Sequence, residues 1–331
     1  MTSTHPEFPS STDGGWSGDD GDSTTGRRRR ARGEKGFERE LDSELVADRE
    51  DVVAVPVAPV SRLVSLAVAI FGGLLGFALI IGAYTTPRLY GLIILGVQVL
   101  FVVSWTIATR PPGARVVAGV GLVAAVASSI GVAWPTHATI APLAYVTAAA
   151  FALGAVGQLL RRGGREQVTE SLGATLVVVV GVVAYAMLIV LMRHELGKES
   201  IAACLTAAAV GIVVARLLDV VFPFPRTTPQ VARGTIGIVA GAMAGTIAAA
   251  VIASAVKGLH PSDTVIAGLV TAVAAVLADL GVGYAEASRE IEGDVPALWI
   301  VRHMQGPLGA FALASPVAYA MSVMVLVPAL T

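Results

Sequence analysis

Charge is what this 331-residue chain has least of: Asp, Glu, Lys and Arg make up 14% of it, against about 25% in a typical soluble domain. With 55% hydrophobic residues and a mean hydropathy of +0.74, that deficit excludes an ordinary water-soluble enzyme. Cysteine is nearly absent. Cys204 stands alone in an apolar run, which excludes an intrachain disulfide framework, a zinc cluster and a CxxC redox pair, and it reads as a small buried hydrophobe. The phosphate-loop pattern GxxxxGK[ST] and the HExxH pair are both missing. Histidine is sparse and scattered, and His137, His194 and His260 reach separate loops without the i, i+4 spacing of a helical metal or proton site. Residues 1–26 are rich in Ser, Thr, Gly and Asp and lack an apolar core, so no cleavable signal peptide is expected there.

The charge that is present is unevenly placed. Residues 1–60 hold 21 of the 47 charged residues, 8 basic and 13 acidic, which leaves 26 for the other 271 positions. A polar tail therefore precedes an apolar body. Residues 1–26 have almost no large aliphatic side chains and cannot offset the entropy of ordering, so the tail is expected to be disordered. It carries the run Arg27-Arg28-Arg29-Arg30-Ala31-Arg32, then a mixed-charge stretch from Glu34 to Asp51. Without aromatic interleaving, and with a membrane body downstream, the run is expected to face anionic lipid at the cytoplasmic surface; no nucleic-acid partner is expected. The tail also offers a site for a protein partner. Pro56 and Pro59 mark an extended linker into the body.

A helix crossing the hydrocarbon needs about 20 mainly apolar residues, and the body divides into stretches of that length between charges, prolines and polar turns. Nine spans are predicted, at roughly 63–84, 89–109, 115–134, 139–160, 171–192, 201–221, 235–256, 264–284 and 307–329. The fold class is therefore all-α, a polytopic integral membrane protein of about nine transmembrane helices behind a disordered N-terminal tail. Continuous hydrophobicity, without the ten-residue alternation of barrel strands, excludes a closed β-barrel. Arg110, Arg161, Arg162, Arg165, Arg226, Arg233, Arg289 and Arg302 fall in the even-numbered loops and outnumber Arg88, Arg193, Lys198 and Lys257 of the odd-numbered ones. The positive-inside rule then puts the N-terminus in the cytoplasm and the C-terminus outside an inner membrane. Small residues recur at i, i+4 in Gly72/Gly76 and Gly237/Gly241/Gly245, a pattern that lets helices approach closely in lipid.

Ionisable residues inside spans are costly, so each is a functional candidate. Arg216 and Asp219 lie i, i+3 near the end of the sixth span, near enough to pair along one helix. Asp279 lies in the eighth span, and Glu286 follows two turns later on nearly the same face. Arg226 and Arg233, in the loop FPFPRTTPQVARG, share the cytoplasmic side with all of these. Carboxylates and guanidiniums can converge there as a site for an anionic substrate or a cation. Arg216, Asp219, Arg226 and Arg233 are the candidate substrate-binding residues, Asp279 and Glu286 the candidate catalytic ones, and Asp279 the candidate metal ligand. A structural ion pair and topology-fixing arginines are the plainer alternative.

The C-terminal third resembles a known family. Ala278-Asp279-Leu280 and, further on, Ala314-Ser315-Pro316-Val317-Ala318-Tyr319 are spaced like the signature of the bacterial phosphatidate cytidylyltransferases, which runs from a G-D-L-x-E-S helix to an A-A-P-V-A-Y-like helix. Thr228-Pro229-Gln230-Val231-Ala232-Arg233-Gly234 is similar to the S-P-x-K-[ST]-x-E-G segment of that family, one residue shorter. The resemblance implies a fold of about nine helices and a chemistry that joins CTP to phosphatidic acid with Mg²⁺ held by an acidic motif. In the family that motif closes with D-R-x-D; here the aligned residues are Gly306-Pro307-Leu308-Gly309, the S-P-x-K lysine falls at Val231, and the G-H-G-G turn is replaced by Ile300-Val301-Arg302-His303. Several hard oxygen ligands are needed to hold metals that bridge a triphosphate, and of the acidic set only Asp279 is retained.

The expected function is thus a catalytically degenerate member of that family that binds membrane lipid or a partner, without a cofactor. Two alternatives stay open. One is an active transferase, with Mg²⁺, whose acidic site is rebuilt from Asp279, Glu286, Glu290, Glu292 and Asp294; the other is a small-solute transporter. The topology is checked by single-cysteine labelling: Arg162→Cys should react only with reagent that has crossed the membrane, and labelling from outside would reverse the orientation.

Overall fold

The computed structural model describes residues 62–135, 139–160, 167–228, 231, 233–293 and 298–326. The tail 1–60 with its arginine run, and also His137, Arg161, Arg162, Arg165 and Asp294, lie outside the described residues. Nine helices long and apolar enough to cross a membrane are present among the described residues, so the chain is a multi-pass membrane protein. They are α1 (Arg62–Ala83), α2 (Pro87–Thr109), α3 (Ala114–Ala133), α4 (Ala141–Leu159), α5 (Val168–Met192), α6 (Gly197–Val221), α7 (Thr235–Ala255), α8 (Pro261–Ile291) and α9 (Trp299–Met321), the last widening into a π-helical turn at Ser322–Leu326.

Local chemistry sets the ends. Thr86 caps α2 by accepting from the Leu89 N–H, with Pro87 at the first helical position, where its missing N–H costs nothing. The turn into α3 runs through Arg110 and Gly113, both in left-handed backbone. Helix α8 begins at Pro261 with Asp263 in its first turn and ends with Arg289 in its last, each charge opposing the helix dipole.

Helices α2, α3, α4 and α5 pack as one group and α1, α6, α7 and α8 as another, with α9 touching both. Helix α5 is buried over its C-terminal half, Gly181 to Met192 with only Met187 partly exposed, and Tyr185 donates to the Leu308 carbonyl of α9 at 2.6 Å. Gln98 of α2 satisfies its amide within the bundle: it donates to the Val182 carbonyl at 2.8 Å and accepts from Ser129 at 2.9 Å. Such bonds tie helices where no water competes. The expected glycine stripe faces inward, not outward. A Cβ on Gly241 would stand 2.5 Å from the Gly211 carbonyl of α6, and one on Gly245 would collide with the Ala207 carbonyl.

The eight predicted loops mostly hold, but one does not. The stretch 285–306, expected as a loop because of its charges, is helical at both ends: α8 runs to Ile291 and α9 starts at Trp299. Its charges are absorbed by pairing across the two helices, described below, so hydropathy underestimates the helical extent there. The close α6–α7 packing predicts that Gly241→Val destabilises the protein by about 1–3 kcal/mol through overpacking. Ile247→Ala, on the exposed face of α7, should change little; thermal unfolding in detergent distinguishes the two.

A buried four-charge cluster as the candidate functional site

Near one end of the bundle α6, α8 and the α6–α7 loop bring four charged side chains together. The loop is folded back on itself: Arg226 and Gly234 form an antiparallel bridge, and the Thr235 N–H donates to the Pro225 carbonyl at 2.8 Å. That turn carries Arg233 inward against α6. Arg233 Nη1 donates to Asp219 Oδ2 at 2.8 Å, and the Gly234 N–H donates to Asp219 Oδ1 at 2.9 Å. Asp219 therefore also sits at the N-terminus of α7, where the helix dipole favours a negative charge.

Arg216 reaches α8, its Nε donating to Asp279 Oδ2 at 3.0 Å and its Nη2 to Oδ1, a two-point grip on one carboxylate. The second terminal nitrogen of Arg233 closes an ion pair with Asp279 as well. The order Asp219–Arg233–Asp279–Arg216 thus alternates in sign and sums to zero. Both aspartates are 1% exposed and Arg233 3%. Isolated charges at that burial would face a desolvation cost of several kcal/mol each, which mutual pairing and hydrogen bonds offset. Burial pulls the Arg233 guanidinium down to about 9, with the positive charge of Arg216 acting the same way and Asp219 opposing both.

Two glycines make room for the cluster. A Cβ on Gly237 of α7 would stand 2.7 Å from Asp219 Oδ1, and one on Gly306 of α9 would collide with Asp279 Oδ1 and lie 2.8 Å from Arg216 Nη2. A second group lies further along α8 and α9, where Arg302 pairs with both Glu286 and Glu290. Beside it Arg289 Nη2 donates to Gln305 Oε1 at 3.5 Å.

Of the six residues singled out in the sequence, Arg216, Asp219, Arg233 and Asp279 come together. Glu286 belongs to the Arg302 group, and Arg226 lies against the Phe224 ring at 5.1 Å. The i, i+3 pair expected along α6 is not the one formed: Arg216 and Asp219 each take a partner from another element. Residues missed by the sequence reading are Gly306, the Gly234 amide, Arg302 as a partner of Glu286, and Gln305. A glycine beside Pro307 inside a helix and an Arg sixteen residues beyond Glu286 carry no pattern that announces these contacts.

The residues do not fit a magnesium centre. Asp279 holds two guanidiniums, Asp219 a guanidinium and an amide, and Glu286 and Glu290 share Arg302, so each carboxylate would have to shed a cation before gaining a metal. Among the described residues no three His, Cys, Asp or Glu side chains converge as a metal site requires. His260 stands at the N-cap position of α8 without a side-chain capping bond, and His194 packs on the Tyr319 ring at 5.9 Å. Compared with known proteins, the chain matches no family model and no curated relative.

The cluster predicts that Asp279→Asn is severely destabilising, by about 3–5 kcal/mol, since it leaves Arg216 without its paired carboxylate and Arg233 with Asp219 alone. Glu290→Gln, at a more exposed carboxylate, should cost under about 1 kcal/mol. Thermal unfolding of the two variants in one detergent checks the contrast.

Proposed function

We propose that this protein is a multi-pass inner-membrane protein built like the phosphatidate cytidylyltransferases that binds membrane lipid and does not turn over CTP. The observation that supports the reading is at Gly306. In the alignment of motifs this position stands where the family carries the first aspartate of D-R-x-D. Here a side chain of any size would run into the Arg216–Asp279 pair. The space of a metal-binding carboxylate is given to a salt bridge, and α9 packs on α6 and α8 because it lacks that carboxylate. A site rebuilt from Glu286 and Glu290 would first have to release Arg302.

In this reading the N-terminal tail is cytoplasmic, its arginine run lies on anionic headgroups, and the Arg216–Asp279–Arg233–Asp219 cluster locks the bundle. The test has two arms. Purified full-length protein with Mg²⁺, CTP and phosphatidic acid should yield no CDP-diacylglycerol, and steady turnover would establish the transferase instead. After exhaustive detergent exchange, phospholipid should remain with the protein by native mass spectrometry. Complete delipidation without loss of fold would remove the lipid-binding reading.

A further inference from the structure

One residue along α8 from Asp279, Ala278 faces a cleft of about 410 Å³ between α2, α5, α8 and α9. Its walls include Phe101 and Trp105 of α2, Val180 of α5, Val282 of α8, and Gly309 and Leu313 of α9. Apart from the indole N–H of Trp105, no lining side chain bears a polar atom. The volume is within the range of about 300–1,000 Å³ typical of small-ligand sites. Val180 and Leu313 at the rim are 49% and 46% exposed, so the cleft opens sideways. On a bundle of spanning helices, a sideways opening faces acyl chains.

Beyond one end of the cleft, outside its apolar lining, lie polar groups. One turn along α9 from Gly309 lies Gln305, 1% exposed, whose Nε2 has no hydrogen-bond partner while its Oε1 accepts from Arg289. Arg289 itself lies two turns along α8 from Val282. Both helices that wall the cleft therefore carry donors beyond the same end of it. A buried amide nitrogen without an acceptor is costly. A wholly apolar occupant would leave it so; an acyl chain joined to a phosphate ester satisfies both ends.

We infer that this cleft is a lateral site for one acyl chain of a membrane phospholipid, whose phosphate-ester oxygens accept from Gln305 Nε2 beside the Arg289 charge. The inference rests on the lipid-binding reading above and gives it a place and a ligand class. The headgroup sits at the end of α8 that carries Glu286–Glu292, away from the centre of the bilayer. The four-charge cluster is then a rigid backing for the site, not a contact of the ligand.

The test uses the full chain in detergent with added dioleoyl phosphatidylglycerol, and dioleoylglycerol as a phosphate-free counterpart, read by native mass spectrometry. Val180→Trp fills the cleft from its exposed rim; it should lower phosphatidylglycerol occupancy roughly tenfold by excluding several methylenes. Ile247→Trp, on the exposed face of α7 (63% exposed), should leave it unchanged. Gln305→Leu should lower phosphatidylglycerol binding and spare dioleoylglycerol. Equal occupancy in wild type and Val180→Trp overturns the cleft while leaving the lipid-binding reading standing; loss of phospholipid from wild type itself overturns that reading. Equal binding of the two lipids, unaltered by Gln305→Leu, overturns the headgroup assignment. Should Val180→Trp fail to fold, Val180→Cys offers a thiol at the exposed rim, the native Cys204 being fully buried. Its alkylation should slow on adding phosphatidylglycerol, and an unchanged rate counts against the site.

Discussion

A charge inside a membrane bundle must be neutralised by something the fold itself brings to it, and here two aspartates and two arginines do so for one another. Helix α6 supplies one of each, α8 an aspartate, and the α6–α7 loop an arginine. The rest of the bundle is arranged so that they can meet. Gly237, Gly241 and Gly245 let α7 lie close enough to α6 for the Gly234 amide to reach Asp219. Gly306 lets α9 close over Asp279 from the other side. The folded-back loop is held by its Arg226–Gly234 bridge, which keeps Arg233 turned inward.

That arrangement bears on chemistry as well as on packing. Carboxylates close the fold or hold a metal, but in this geometry not both, because each oxygen that accepts from a guanidinium is lost to a cation. Breaking a buried pair is strongly destabilising, although forming it adds little net stability. A bundle built on such pairs resists conversion to a metal site by one substitution. Its value lies in specifying one packing of α6, α8 and α9.

The spans were legible in the sequence because hydropathy is a local property: each stretch of about 20 apolar residues reports on itself. The residues of the cluster were legible too, since any ionisable residue within such a stretch is conspicuous. Their pairing was not. Arg216 and Asp219 share a helix at a spacing that permits contact, yet which way each side chain turns is settled by which helix lies opposite, and that is a property of the whole bundle. The extended ends of α8 and α9 were missed for a related reason. Glu286, Glu290 and Arg302 look like loop residues singly and become helical residues only once they face one another.

Helix α8 also works as a depth gauge. Its 31 residues rise about 46 Å, well beyond a hydrocarbon core of about 30 Å. The interval from Asp263 in its first turn to Glu286, which begins the charged turns at its other end, rises about 34 Å, close to that thickness. Sliding the protein by one helical turn in either direction would pull one of these carboxylates into hydrocarbon. The protein is thus held at one height in a bilayer of ordinary thickness.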